Sequence, residues 1–228
     1  MTQALLVSGA VVLGLAIGYG THRLNQRLAL AEEEATEAPL PQERLWAPVL
    51  DAGLLGLVAL RYGPTVEGLL VAAVVVILVQ VLVFDARHRL ILNRVIYPAI
   101  VLALLVSPLN PLLFGGGAVD HLITAAIGAA VAGGLFFLLV LITGGGVGLG
   151  DAKLAFFMGA VLGFFPMFSS PILRALLYGI LLGGVIALAL LLSRRRGMRD
   201  YIPYGPYLCL GGILVLLFPC GLPGPVTC

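Results

Sequence analysis

Apolar residues fall along this chain in long unbroken runs separated by short polar stretches. The runs lie at roughly 4–20, 47–61, 66–84, 95–113, 119–142, 152–168, 171–192 and 201–219. A helix needs about 20 apolar residues to cross the hydrocarbon core of a bilayer, so the pattern predicts about eight transmembrane helices. A membrane β-barrel would instead alternate apolar and polar residues over about 10 positions at a time. The expected fold is all-α: a polytopic membrane helix bundle. The run at 47–61 is short, carries Asp51, and meets the next run across an Arg-Tyr-Gly-Pro turn at 61–64. Pro98, Pro108 and Pro111 fall in or near the fourth run, where they kink the helix or free carbonyls that need other partners.

Composition agrees with the pattern. Hydrophobic residues make up 61% of the 228 positions and charged residues 11%, against about a quarter charged in soluble domains. Eight spans of about 20 residues use roughly 160 positions, which leaves no room for a large soluble domain. The net charge of +2 carries no nucleic-acid footprint. The run from Ala4 to Gly20 lacks a basic leading segment and is followed by further spans, so it reads as a first anchor rather than a cleaved secretory signal.

Lys and Arg in the short loops orient such a bundle. With eight spans, one side receives Arg23, Arg27, Arg44, Arg87, Arg89, Arg94, Lys153, Arg194, Arg195, Arg196 and Arg199; the other receives only Arg61 and Arg174. The loops at 21–46, 85–94, 143–151 and 193–200 are therefore expected to be cytoplasmic, with both termini outside. Arg194–Arg196 suit anionic lipid head groups, and Glu32, Glu33, Glu34 and Glu37 suit a solvated face of the first loop. The three cysteines form no metal set: Cys209 is inside the last run, while Cys220 and Cys228 lie in the outward tail. Those two could pair in an oxidising compartment or stay free thiols.

Apart from the Glu-rich loop, which also holds Glu43, the acids are Asp51, Glu67, Asp85, Asp120, Asp151 and Asp200. A carboxylate in a bilayer costs roughly 2.5–3.5 kcal/mol and usually lines a cavity or pairs with another group. Glu67 and Asp120 lie at outward helix ends, where water and a helix N-terminus account for them. Asp85 and Asp151 are different, because both are placed at the same cytoplasmic edge. Asp85 closes the third run, and Asp151 follows Gly144-Gly145-Gly146-Val147-Gly148-Leu149-Gly150. Five glycines in seven residues free the backbone and let another chain approach closely.

Two carboxyls brought together at such an edge suit aspartyl protease chemistry, with one acting as general base on water and the other, protonated, polarising the scissile carbonyl. Like charges at short range share one proton. A helix N-terminus favours the carboxylate at Asp151, and a helix C-terminus disfavours it at Asp85. The chemistry alone also admits an Asp85 paired with Arg87 or Arg89 and a glycine run that is only a flexible turn. It also admits a transporter in which paired carboxylates carry protons or cations, although no internal repeat of the kind common in such folds is visible.

Three segments together resemble the type IV prepilin peptidases, bacterial membrane aspartyl proteases that share a Gly-x-Gly-Asp motif. Asp85-Ala-Arg87-His88-Arg89-Leu90-Ile91-Leu92-Asn93 is similar to the family's Asp followed by basic residues, Ile, Pro and Asn or Asp. Gly148-Leu149-Gly150-Asp151-Ala152-Lys153-Leu154 matches Gly-x-Gly-Asp-x-Lys-Leu, and Ile202-Pro203-Tyr204-Gly205-Pro206-Tyr207-Leu208 resembles Pro-Phe-Gly-Pro-x-Leu. Trp46-Ala47-Pro48-Val49-Leu50-Asp51 also looks like the family's Arg-x-Pro-x-x-Glu region, so the resemblance covers roughly 46–219.

The resemblance implies a prepilin leader peptidase of the bacterial cytoplasmic membrane. Such an enzyme cuts the short basic leader from prepilins or pseudopilins, for pilus assembly or type II secretion, at the cytoplasmic face. It makes Asp85 and Asp151 the catalytic pair and Gly148, Gly150, Lys153, Asn93, Pro203, Gly205 and Pro206 the residues that shape the site or bind substrate. Residues 1–46 are then an anchor span with a shortened cytoplasmic loop, and 47–228 the peptidase core. Two departures stand out. Leu92 replaces the family's Pro, and the loop of about 25 residues lacks the paired Cys-x-x-Cys motifs that bind zinc in full-length members, so no zinc and no metal for proteolysis is expected. The family's first-span ending, Gly-Ser-Phe-x-Asn with a later Arg-Leu, is partly echoed by Gly18-Tyr19-Gly20-Thr21-His22 and Arg27-Leu28. That ending is associated with N-methylation of the mature pilin by S-adenosylmethionine. His22 stands where the family has Asn, which leaves open whether methylation is retained.

Overall fold

The computed structural model describes residues 2–31, 43–113, 116–144, 147–164, 170–193 and 204–218. Among these, the chain forms eight α-helices and one short 3-10 turn, and no strand: α1 (Thr2–Ala31), α2 (Glu43–Tyr62), α3 (Val66–His88), α4 (Asn93–Val106), the 3-10 turn Ser107–Leu109, α5 (Ala118–Thr143), α6 (Leu149–Leu162), α7 (Pro171–Leu192) and α8 (Gly205–Leu217). Each helix falls on one of the apolar runs. The chain is a multi-pass helical membrane protein: α1, α2, α3, α5 and α7 are long and apolar enough to cross a bilayer. Helices α4, α6 and α8 are shorter; 14 residues of α6 rise only about 21 Å. Glu32–Glu37, Arg194–Arg196, Asp200, Pro203, Cys220 and Cys228, singled out by the sequence, lie outside the described residues.

The chain divides into two compact units, 1–95 and 96–228. In the first, α1 packs on α2 and both touch α3. Contact between α1 and α2 is backbone-close because two glycines of α1 face α2. A Cβ on Gly14 would stand 2.7 Å from Ala52 Cα, and one on Gly18 2.7 Å from Pro48 Cα. Helix α2 ends in the Gly63 turn, where φ is +63°, and Thr65 caps α3 by accepting the Gly68 N–H at 3.0 Å. The first helix continues well past the apolar run that predicted it, to Ala31. Its polar extension is partly buried rather than a solvated loop, with His22 and Asn25 both buried.

In the second unit, α6 packs along α5 and also touches α7 and α8. Gly128 of α5 and Gly159 of α6 meet backbone to backbone, so a Cβ on either would enter the other helix's main chain. Such small-residue crossings are how helices associate where lipid tails compete with apolar side chains. The far end of α6 is closed by neighbours: Asn110 Nδ2 donates to the Val161 carbonyl at 2.9 Å, and the Phe164 N–H donates to the Thr124 carbonyl at 3.2 Å. Pro98 is accommodated inside α4, and Pro108 sits in the 3-10 turn that ends it. Glu67 and Asp120 occupy the first turns of α3 and α5.

Candidate active site

Asp85 lies in the last turn of α3 with 4% of its surface exposed. The chain leaves the helix at Arg89, which adopts the left-handed conformation (φ 55°, ψ 35°) and donates its N–H to the Asp85 carbonyl at 2.9 Å. Downstream, Leu92 is buried and packs with Phe84, joined by Leu28, Leu90 and Val95. The residue that departs from the Pro pattern is therefore an apolar anchor, and Arg89 makes the turn instead. His88 stacks on Phe84 with ring centroids 4.5 Å apart. Asn93 opens α4 and is half-buried.

Asp151 occupies the first turn of α6 in the second unit, also with 4% exposed. Helix α6 begins at Leu149, three residues before the apolar run, so the aspartate is inside the helix rather than ahead of it. Gly148 precedes the helix, and its N–H donates to Asp151 Oδ2 at 3.3 Å while its carbonyl accepts the Asp151 N–H at 3.1 Å. The backbone of Gly205, at the start of α8, also faces this carboxyl and favours its ionised form. Proline at Pro206 is tolerated because the first helical N–H groups have no partner within the helix. The segments around Gly148 and Gly205, 57 positions apart in the chain, thus meet on one carboxyl.

The glycine run is less unusual in backbone than its composition suggests. Among its described members, Gly144 is left-handed at φ +59°, whereas Gly148 (φ −76°, ψ 144°) is in ordinary extended backbone. Gly150 lies in the first turn of α6, half-buried. Lys153, one turn into the helix, places its Nζ 4.9 Å from the centroid of the Tyr97 ring. Tyr97 was not legible as a site neighbour; an aromatic in an apolar run gives no such signal. Sequence reasoning also missed the contact of Gln80 with Asp51 and Asn25, although a lone Gln within an otherwise apolar run was a cue.

A family model described as the type IV leader peptidase family matches residues 70–188. Three curated relatives carry the name prepilin leader peptidase/N-methyltransferase. The protein from Bacillus subtilis is 31% identical over 177 residues, covering 75% of this chain and 64% of the relative. That from Pseudomonas putida is 29% identical over 178 residues, 75% of this chain and 58% of the relative. That from Aeromonas salmonicida is 37% identical over 119 residues, 47% and 39%. The chain thus spans less than two thirds of the length of these relatives. No solved structure matches it.

Proposed function

Because this chain belongs to the type IV leader peptidase family, we propose that it hydrolyses the leader junction of prepilins or pseudopilins at the cytoplasmic face of the bacterial inner membrane, with Asp85 and Asp151 as one catalytic pair. The observation that carries the reading is the matched environment of the two acids. Each is at a helix end and 4% exposed, as a pair working in a water-poor site requires. The peptidase core is 47–228, with 1–46 as its anchor and loop.

In this reading Asp151 is the base. Burial raises the Asp151 carboxyl above the usual carboxylate range, but the backbone of Gly148 and Gly205 and the first turn of α6 work against that, whereas Asp85 has a helix C-terminus beside it. Asp151 takes a proton from water as the water oxygen attacks the scissile carbonyl carbon, and Asp85 gives its proton to the carbonyl oxygen. When the C–N bond breaks, the leaving nitrogen takes up the proton held by Asp151, and one hydroxyl of the tetrahedral intermediate returns its proton to Asp85 as the carboxyl product forms. The pair titrates as a unit. The family match favours hydrolysis over ion transport, and the bilayer is the protein's solvent rather than a specific partner. Gly150, Lys153, Asn93, Pro203 and Pro206 are the further residues we assign to shaping the site.

The relatives' names include N-methyltransferase, and the methyl donor for such a step would be S-adenosylmethionine. In this chain His22 is buried and its Nε2 bonds Gln26 of the same helix at 2.8 Å. No methyl-transfer step is assigned to its residues. Co-expression with a prepilin, followed by the mass of the product, tests the function. Loss of the leader is expected, in detergent and without an ion gradient. An unprocessed prepilin beside folded enzyme contradicts the assignment.

A further inference from the structure

Three polar side chains from three helices form a chain inside the first unit, apart from the two acids. Gln80 of α3 is the polar residue within Val71-Ala-Ala-Val-Val-Val-Ile-Leu-Val-Gln80-Val-Leu-Val-Phe84. Its Nε2 donates to Asp51 Oδ2 of α2 at 2.9 Å, and its Oε1 accepts from Asn25 Nδ2 of α1 at 3.4 Å. All three are buried, Asp51 completely. The other carboxyl oxygen, Oδ1, has no partner among the described residues. Gln80 is therefore the donor on which that carboxyl depends.

The cluster is a tether rather than a ligand site. Gly18 of α1 lies directly over the carboxyl: a Cβ there would stand 2.7 Å from Asp51 Oδ2. The backbone of α1 thus closes that side of the carboxyl. What the tether holds is α3, the helix that ends in Asp85. Apolar side chains fit lipid tails about as well as they fit one another, so apolar packing alone fixes the rotation and depth of a membrane helix weakly. Directed hydrogen bonds from both ends of one side chain fix both. Gln80 is five residues before Asp85, which is about 7.5 Å along the same helix.

We propose that Gln80, held between Asp51 and Asn25, is a positioning residue that sets where α3 presents Asp85. The proposal rests on the reading of Asp85 as a catalytic acid. A displacement of about 1 Å at a reacting group is worth up to 100-fold in rate. The effect belongs in kcat, because the tether acts through the placement of Asp85 rather than on the substrate.

The test uses the full chain in detergent with a leader-bearing prepilin. Gln80→Leu and Asp51→Leu should each lower kcat by about 10–100-fold with KM unchanged. Asp51→Asn, which keeps an acceptor oxygen for the Gln80 amide, should stay within about threefold of the parent. Should Gln80→Leu fail to fold, Asn25→Leu, which removes only the longer bond, replaces it and should lower kcat by about 3–10-fold. In a chain with its native cysteines replaced, Asp85→Cys should react slowly with a maleimide, because that position is buried, and Gln80→Leu should speed the reaction. Parental kcat in Gln80→Leu, or in its Asn25→Leu replacement, overturns the proposal. So does equal damage from Asp51→Asn and Asp51→Leu, or labelling at the parental rate. A parent chain that cuts no prepilin sinks the functional reading instead, and the labelling rates still decide the tether.

Discussion

The backbone N–H of Gly148 donates to Asp151 Oδ2 at 3.3 Å from the position just before α6. The interaction is one half of a capping box: the acid in the third helical position reaches back to the N–H ahead of the helix. Glycine has no side chain to accept the Asp151 N–H in return, and the Gly148 carbonyl accepts it instead at 3.1 Å.

Gly148→Pro separates that donor from the fold. The Gly148 φ of −76° is within the range proline imposes, and the substitution removes the N–H. A hydrogen bond to a charged group contributes about 1.5–3 kcal/mol. Leader cleavage should therefore fall by about 10–100-fold, while the melting temperature in detergent changes little. Unchanged cleavage removes Gly148 from the site.

The crossing of α5 and α6 holds the helix that carries Asp151. Leucine at Gly159 has nowhere to go, because the backbone of Gly128 occupies the space. Gly159→Leu should lower stability by about 3 kcal/mol or more, read as an early melt or as loss of the protein from the membrane fraction. Gly134, with open space around its Cβ position, is the control: Gly134→Ala should melt at or slightly above the parent.

Arg89 holds a left-handed backbone conformation that residues with a Cβ rarely adopt. Arg89→Gly should raise stability by up to about 1 kcal/mol, and Arg89→Val should lower it by at least as much. Thermal melts of the two variants check the turn after Asp85. The reverse order would mean that Arg89 is not where α3 ends.

The run at 119–142 became a helix over Ala118–Thr143, and that at 171–192 one over Pro171–Leu192, because long continuous apolarity leaves a chain in lipid little choice but helix. The polar end of α1 was not legible. Thr21, His22, Asn25 and Gln26 read as a loop by composition. Burial of His22 and Asn25 comes from neighbouring helices, and Asn25 finds Gln80 55 positions away in the chain. Similarly, Gly148 and Asp151 are three apart and visible as a motif, whereas Gly205 reaches Asp151 only through the packing of α8 against α6. Family resemblance named Gly205; no local physical signal did. The run before α6 showed its glycines plainly, but which of them needs to be glycine depends on φ, and Gly144 rather than Gly148 is left-handed.

Two acids from separate parts of the chain acting as one catalytic unit is the claim on which the function stands. Single-turnover cleavage of a leader-bearing prepilin by purified Asp85→Asn and Asp151→Asn variants probes it most directly. Each variant should be slower than the parent by about 1,000-fold or more while remaining folded and able to bind the prepilin. Near-parental turnover by either one would contradict the account.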